Sequence, residues 1–457
     1  MTGYKSYLLF ATLYLSACAS SILGYSDFCL YFSLISFSLF FAYLGRLFFS
    51  SPFYFFFFLP FIFNYLWFSF SSVLFEFGAY TSELRLSGTP DGAGARLTFF
   101  LFLLISVSKF TFDYFQKKIV FGSFSKTTKY SVLLMYFVIL MSILAIYFMF
   151  SSAIFLGIDR IEYRREVAPG VFFYLLNASA FFLFFVGVVR ESMRREGGRT
   201  LWCDSLFFTG LILMVLAGEK FSMLFTAVSL YATPYFYEKN ILFSLRYALR
   251  FFGILILLLA LIVGLAFNQY ASIGVHDDLL TFGLNLTLDR IVQQSQLNFY
   301  FDRLVFLERN SGLGFFDFLY REVFPSSNSN PVGISRLMSI AMPRELYSIY
   351  YDTGVTLGDG FPAILYDYFG WGVVFLMPFL GALLGAGMAL IFYFGFSLNL
   401  PVGLGLFFAL YNTFLSFYLN GEIYLLFKPT IGKLVAILFL LFHFAIKFFQ
   451  HSACQRD

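Results

Sequence analysis

The sequence predicts an all-α polytopic membrane protein of about twelve transmembrane helices, with one large outer loop late in the chain. Composition carries the first part of that prediction. Of 457 residues, 60% are hydrophobic and only 12% are charged, whereas a soluble chain carries about 25% charged residues. Phe alone occurs 71 times, more than one soluble core can hide. The second observation is run length: the apolar residues fall in segments long enough to cross about 30 Å of hydrocarbon. In lipid these segments are helical, because the backbone must satisfy itself.

Taken in order, the runs lie near 6–24, 27–45, 52–75, 97–115, 130–150, 170–189, 201–218, 221–237, 241–267, 364–395, 402–419 and 432–450. The first has the look of a signal peptide, but a second apolar run follows at once, so it reads as a retained helix. The aromatic run "SPFYFFFFLPFIFNYLWF" is bent or opened by Pro60. Three regions result: 1–267 with nine helices, 268–363 as the outer loop, and 364–457 with three helices. Four cysteines (Cys18, Cys29, Cys203 and Cys454) show neither disulfide nor metal-ligand spacing. The net charge of +4 gives no reason to expect a nucleic-acid partner, and no internal repeat of the kind found in inverted-repeat transporters is visible.

Lys and Arg in the short loops set the orientation. With the N-terminus in the cytoplasm, the inner side collects eleven: Lys117, Lys118, Lys126, Lys129, Arg190, Arg194, Arg195, Arg199, Lys239, Arg246 and Arg250. The outer side holds six: Arg85, Arg96, Arg160, Arg164, Arg165 and Lys220. Both termini are therefore expected inside. The six outer cations oppose the insertion bias, and two readings account for them. Nearby acids can offset them, as Asp159, Glu162 and Glu166 do in "GIDRIEYRREV". Alternatively they face an anionic lipid-linked substrate, for which the Arg fork is well suited. Lys220 stands in the tight turn "AGEK" between two apolar helices, at the depth of a lipid headgroup.

The outer loop changes composition. Residues 269–362 contain six Arg and ten Asp or Glu, a mixed inventory with many aromatics (Tyr300, Phe301, Tyr320, Tyr347, Tyr350 and Tyr351) that suits a sugar-binding surface. The stretch "TLDRIVQQSQLNFYFDRLVFLERN" reads as an amphipathic helix at the membrane interface, with Arg290, Gln293, Gln294, Asp302 and Arg309 on its polar side. At the loop's end, "TLGDGFPAILYDYFGWG" sets Asp359 in a glycine turn, where it can cap the next helix. Asp367 falls about one turn inside that helix, and a carboxylate at a membrane boundary is a site candidate by default.

This arrangement resembles the O-antigen (Wzy-type) polysaccharide polymerases, which join lipid-linked oligosaccharide repeat units. The likeness covers most of the chain in architecture. Locally it lies in "LAGEKFS" at 216–222, "DRIVQQSQLNF" at 289–299 and "LGDGFPAILYDYFGWGV" at 357–373. In the first, Lys220 stands where such proteins often carry Arg, so a basic role carries over but bidentate phosphate recognition does not. The resemblance implies a metal-independent membrane glycosyltransferase of the bacterial inner membrane, without a cofactor. It would act on undecaprenyl-diphosphate-linked oligosaccharide in the bilayer, its active site facing the periplasm and a separate chain-length regulator as partner. Cations would stabilise the departing diphosphate: Lys220, Arg290 and Arg344 first, with Arg160, Arg164 and Arg303 behind them. Asp302, Glu345, Asp359 or His276 would take the acceptor's proton, and Asp367 would join the substrate-binding set. An O-antigen ligase shares the architecture and donor. A lipid-linked oligosaccharide flippase is the non-enzymatic alternative, disfavoured by the near absence of charge in mid-span positions.

Overall fold

A computed structural model describes residues 2–118, 137–145, 147, 167, 170–216, 221–239, 253, 289, 291–324, 331–353, 356–397 and 400–428. The described residues are almost entirely helical, and three helices among them are long and apolar enough to cross a bilayer: Asp27–Ser50, Ala93–Lys117 and Ala363–Tyr393. Shorter apolar helices cover Tyr7–Leu23 and Leu201–Leu216. The run expected at 432–450, that at 241–267 except residue 253, and most of that at 130–150 lie outside the described residues. The chain divides into two compact units. One comprises Met1–Phe102, Phe124–Asn310 and Met338–Asp359, the other Leu103–Ser123, Ser311–Leu337 and Gly360–Asp457.

The first unit opens with α1 (Thr2–Leu23) and α2 (Asp27–Ser50), joined by a turn in which Gly24 adopts φ +63°. Ser26 caps α2 by accepting from the Phe28 N–H at 3.3 Å. The aromatic run that follows is two helices, α3 (Pro52–Phe57) and α4 (Leu59–Glu76), divided at Phe58. Pro60 explains the break, since it lacks an N–H and its ring crowds the carbonyl four residues back. A two-stranded ribbon, β1 (Tyr80–Thr81) with β2 (Leu86–Ser87), leads to α5 (Ala93–Lys118).

Three more helices, α6 (Gly170–Arg195), α7 (Leu201–Leu216) and α8 (Phe221–Lys239), pack together. Gly187 permits the α6–α8 approach: a Cβ there would sit 2.5 Å from the Tyr231 carbonyl oxygen. Asp204 ties the three by accepting from Arg190 Nε at 2.8 Å and Tyr231 OH at 2.6 Å. Arg190 and Arg194, expected in an inner loop, thus belong to the last turns of α6. Aromatic faces fill the gap between α3–α4 and α8, with Phe56 stacked on Phe236 at 4.2 Å and Phe63 on Phe225 at 3.6 Å. Finally α9 (Gln296–Phe306), preceded by a tight turn at Gln293–Ser295, packs on α4, and α12 (Arg344–Thr353) closes the unit.

The second unit holds α10 (Phe315–Phe318), α13 (Ala363–Phe369), α14 (Val373–Ser397), α15 (Leu400–Asn420) and α16 (Tyr424–Phe427). The remaining helix, α11 (Gly333–Ala341), straddles the division between the units. The expected 364–395 span is interrupted at Gly370–Gly372, where Gly370 takes φ +50°. Along α14, Phe375, Phe379 and Leu383 recur every fourth residue, all exposed, and exposed Trp371 in the turn before the helix continues the spacing. Such a stripe is what a lipid-facing helix presents. The opposite side packs on α5 through glycine: a Cβ on Gly381 would lie 2.6 Å from the Leu104 carbonyl oxygen, and one on Gly385 2.3 Å from that of Ser108.

Gly385→Ala is expected to destabilise the protein by about 1–3 kcal/mol through overpacking, read as a fall in thermal unfolding temperature in detergent. Gly45→Ala in α2, where nothing lies within 4 Å, should be neutral or stabilising by up to about 1 kcal/mol.

Candidate functional site

Among the described residues, buried charge gathers where α5 begins. A helix start leaves its first N–H groups without intrahelical partners, and "TPDGAGARL" meets them with side chains. Asp91 Oδ1 accepts from the Ala93 N–H at 3.0 Å, Glu76 Oε1 from Gly94 at 2.7 Å, and Ser33 Oγ from Ala95 at 2.9 Å. Ser33 Oγ donates in turn to Glu76 Oε1 at 2.9 Å. Two carboxylates therefore stand at the positive end of the α5 dipole. Glycine makes the approach possible: a Cβ on Gly92, whose φ is +80°, would fall 2.3 Å from Ser20 Cβ, and one on Gly94 would fall 3.1 Å from Ser33.

One turn on, Arg96 is 1% exposed. Its guanidinium forks onto Asp302 of α9, with Nε at 3.0 Å and Nη2 at 2.5 Å from Oδ2, and lies 5.0 Å above the Phe306 ring. Asp91 Oδ1 stands 4.0 Å from the same Nη2. Two carboxyl groups, those of Asp302 and Asp91, thus share one guanidinium, with the Glu76 carboxyl also buried at the same helix start. Arg96 Nη1, Asp91 Oδ2 and Glu76 Oε2 have no hydrogen-bond partner among the described residues. Burial pushes the Asp91 carboxyl up to about 7, against the pull of Arg96.

Arg96 was expected in an outer loop; it lies instead inside a helix and inside the fold. The 288–309 stretch also differs from expectation. Rather than lying at an interface with its polar side in water, α9 buries Gln296, Asn298 and Asp302, and the turn before it buries Gln293. Polar groups on α4 and the ribbon explain why. Ser71 Oγ donates to the Val292 carbonyl at 2.7 Å, Ser72 Oγ pairs with Ser295 Oγ at 2.9 Å, and Thr81 Oγ1 donates to Gln296 Oε1 at 2.6 Å. Glu83 accepts from Gln296 Nε2 and, at 3.0 Å, from Tyr350 OH of α12.

The predicted site residues separate into distinct settings. Asp302 is taken by Arg96. Asp359 is fully buried, and its Oδ2 accepts from the Leu297 N–H at 2.7 Å. It therefore caps α9 and not the helix that follows it, the reverse of expectation. Burial pushes its carboxyl up to about 8, opposed by that N–H and assisted by Glu83. Arg303 is half-buried above the Tyr25 ring at 5.5 Å. Arg344 and Glu345 are exposed in the first turn of α12. In the second unit, Asp367 accepts from Arg336 Nε at 2.8 Å. Beside it, both oxygens of buried Glu322 accept from the Gly333 N–H at 3.0 Å, and Tyr368 OH donates to Glu322 Oε1 at 2.9 Å. Lys220, Arg290, Arg160, Arg164 and His276 lie outside the described residues.

Glu76 and Asp91 were not foreseen as site residues. The signal available for them was an acid closing an aromatic helix and an "Asp-Gly" pair opening the next. Among the described residues, no three His, Cys, Asp or Glu side chains are arranged to hold a metal ion.

Residues 327–437 match the model of DUF6418, a family of unknown function. That stretch contains Gly333, Arg336, Asp367 and Tyr368, the residues that join α11 to α13. No curated protein and no solved structure matches the chain.

The raised carboxyl of Asp91 sets a direction for pH dependence. Between its ordinary value of 3.8 and about 7 the folded protein holds a proton that the unfolded chain has released. Stability should therefore fall as pH rises through that window and level off above it, with Asp359 extending the fall to about 8. Thermal unfolding of the wild type should occur at a higher temperature at pH 5.5 than at pH 8. Asp91→Asn keeps an acceptor for Ala93 and has no proton to lose, so it should shrink the difference; an unchanged difference would assign the dependence elsewhere.

Proposed function

We propose that the chain is a membrane glycosyltransferase of the bacterial inner membrane that polymerises lipid-linked oligosaccharide repeat units. On this reading about twelve spans hold both termini in the cytoplasm and the 268–363 segment in the periplasm. The growing glycan passes from undecaprenyl diphosphate to a sugar hydroxyl of a new lipid-linked unit. One observation carries the reading: a polar segment late in an otherwise apolar chain is pinned to the start of α5 by the Arg96–Asp302 pair, while the very next residue, Arg303, is only half-buried.

The reaction breaks the bond between the anomeric carbon and a phosphate oxygen, and the electron pair leaves on the lipid diphosphate. The acceptor hydroxyl oxygen forms the new bond to that carbon and gives up its proton. Arg303 and Arg344 supply cations for the diphosphate as its charge develops. Of the carboxylates considered, Asp302 and Asp359 are buried and engaged, whereas Glu345 is exposed beside Arg344. We assign Glu345 to receive the proton. Lys220 remains in the reading as a headgroup cation. The buried charges favour an enzyme over a flippase, because Glu76 ends α4 and Arg96 begins α5, away from mid-span.

Arg344→Ala and Arg303→Ala should each abolish long-chain polysaccharide at normal protein levels, visible as loss of the ladder on a lipopolysaccharide gel. Loss of the gene should leave single repeat units on the lipid core. A core without any repeat unit would identify a ligase, and full-length chains in both variants would remove these cations from the site.

A further inference from the structure

One short element in the second unit turns its apolar side outward. The α10 helix continues without a break into a wider helical turn at Leu319–Val323. Phe316, Tyr320 and Phe324 recur about once per turn, and they are 84%, 71% and 71% exposed. Phe315 adds a fourth ring at 55%.

The other side of this element is held firmly. Glu322 is buried and satisfied by Gly333 and Tyr368. The Phe318 ring packs on those of Tyr368 and Phe369 at 5.5 and 5.0 Å. Just before the helix, the Leu313 N–H donates to the Asp367 carbonyl at 3.1 Å and Gly314 to that of Tyr368 at 2.7 Å. The exposed rings are thus fixed outward by the fold. In water a contiguous aromatic face of this kind is costly.

Continuity with the lipid-facing surface identifies what covers it. The end of α13 to which α10 is pinned, Asp367 to Phe369, runs through the Gly370–Gly372 turn, which carries exposed Trp371, into α14 and its exposed stripe of Phe375, Phe379 and Leu383. Asp317 and Arg321 pair at 3.4 Å beside the rings, both partly exposed. Apolar rings with a charged flank are the pattern of an interfacial helix.

We propose that residues 315–324 form an interfacial membrane helix whose Phe316, Tyr320 and Phe324 side chains insert at the headgroup–acyl boundary of the bilayer. The inference rests on the chain crossing a membrane and is independent of the transferase reading.

The test places nitroxide labels on the full chain in phosphatidylethanolamine–phosphatidylglycerol vesicles. Phe316→Cys, Tyr320→Cys, Phe324→Cys, Asp317→Cys and the control Phe375→Cys are each made after replacing Cys18, Cys29, Cys203 and Cys454 by Ala. Collisions with oxygen should exceed those with a water-soluble nickel chelate at 316, 320, 324 and 375, and the order should reverse at 317. Nickel-dominated collisions at 316, 320 and 324 with an oxygen-dominated 375 would overturn the inference and leave the membrane reading intact. Nickel-dominated collisions at 375 as well would overturn both. Shielding from both agents with spin–spin broadening would show a second copy on the face, and would also overturn it. If the cysteine-free chain fails to fold, Phe316→Trp in the native chain should add fluorescence that brominated lipids quench; added fluorescence that they leave untouched counts against the proposal.

Discussion

The ion pair between Arg96 and Asp302 is the point on which the first unit turns. A guanidinium and a carboxylate removed from water carry a large desolvation cost, offset only by close geometry and further hydrogen bonds. The forked contact, the Phe306 ring and the nearby Asp91 supply those terms. Around this pair four other groups take their places. Ser20 of α1 donates to the Gly92 carbonyl at 3.4 Å, Ser33 of α2 and Glu76 of α4 hold the first N–H groups of α5, and Asp91 caps it. Five helices thereby converge on one helix start. Apolar packing between Phe-rich helices is permissive in direction, whereas these polar contacts specify register.

The same logic extends along the polar segment. It behaves as part of the bundle: Asp359 caps α9, Gln296 bridges Thr81 and Glu83, and Tyr350 brings α12 to the same Glu83. In the second unit Glu322 and the Arg336–Asp367 pair tie α11 and α10 to α13. Within each unit, a stretch fastened at several points holds its open side chains in place, which is what precise positioning of a reacting group requires. In the first unit, half-buried Arg303 and exposed Arg344 and Glu345 are among the groups left open in this way.

Much of this was legible in residue order. The helical, apolar character followed from composition and run length, and Pro60 marked a break that the structure sets two residues earlier, at Phe58. The charges were harder. Arg96 stood out as a cation on the wrong side, but a loop residue and a buried first-turn residue look alike until their partner is known. That partner, Asp302, is 206 residues away. Asp302 and Asp359 were singled out as acids of consequence, yet the amphipathic pattern around Asp302 suggested a polar face in water. The fold matches that face with Ser71, Ser72 and Thr81. Hydrophobic periodicity shows which face differs from which; it does not show that a polar face has a polar partner.

The most direct measurement is a double-mutant cycle on the buried pair, using Arg96→Met, Asp302→Leu and the two together, with unfolding followed in bicelles. Each single change strips a buried charge of its hydrogen-bonded partner and should cost about 3–5 kcal/mol, while the double change should recover most of that loss. Single variants within about 0.5 kcal/mol of the wild type, or losses that simply add in the double variant, would contradict the role given to Arg96 and Asp302.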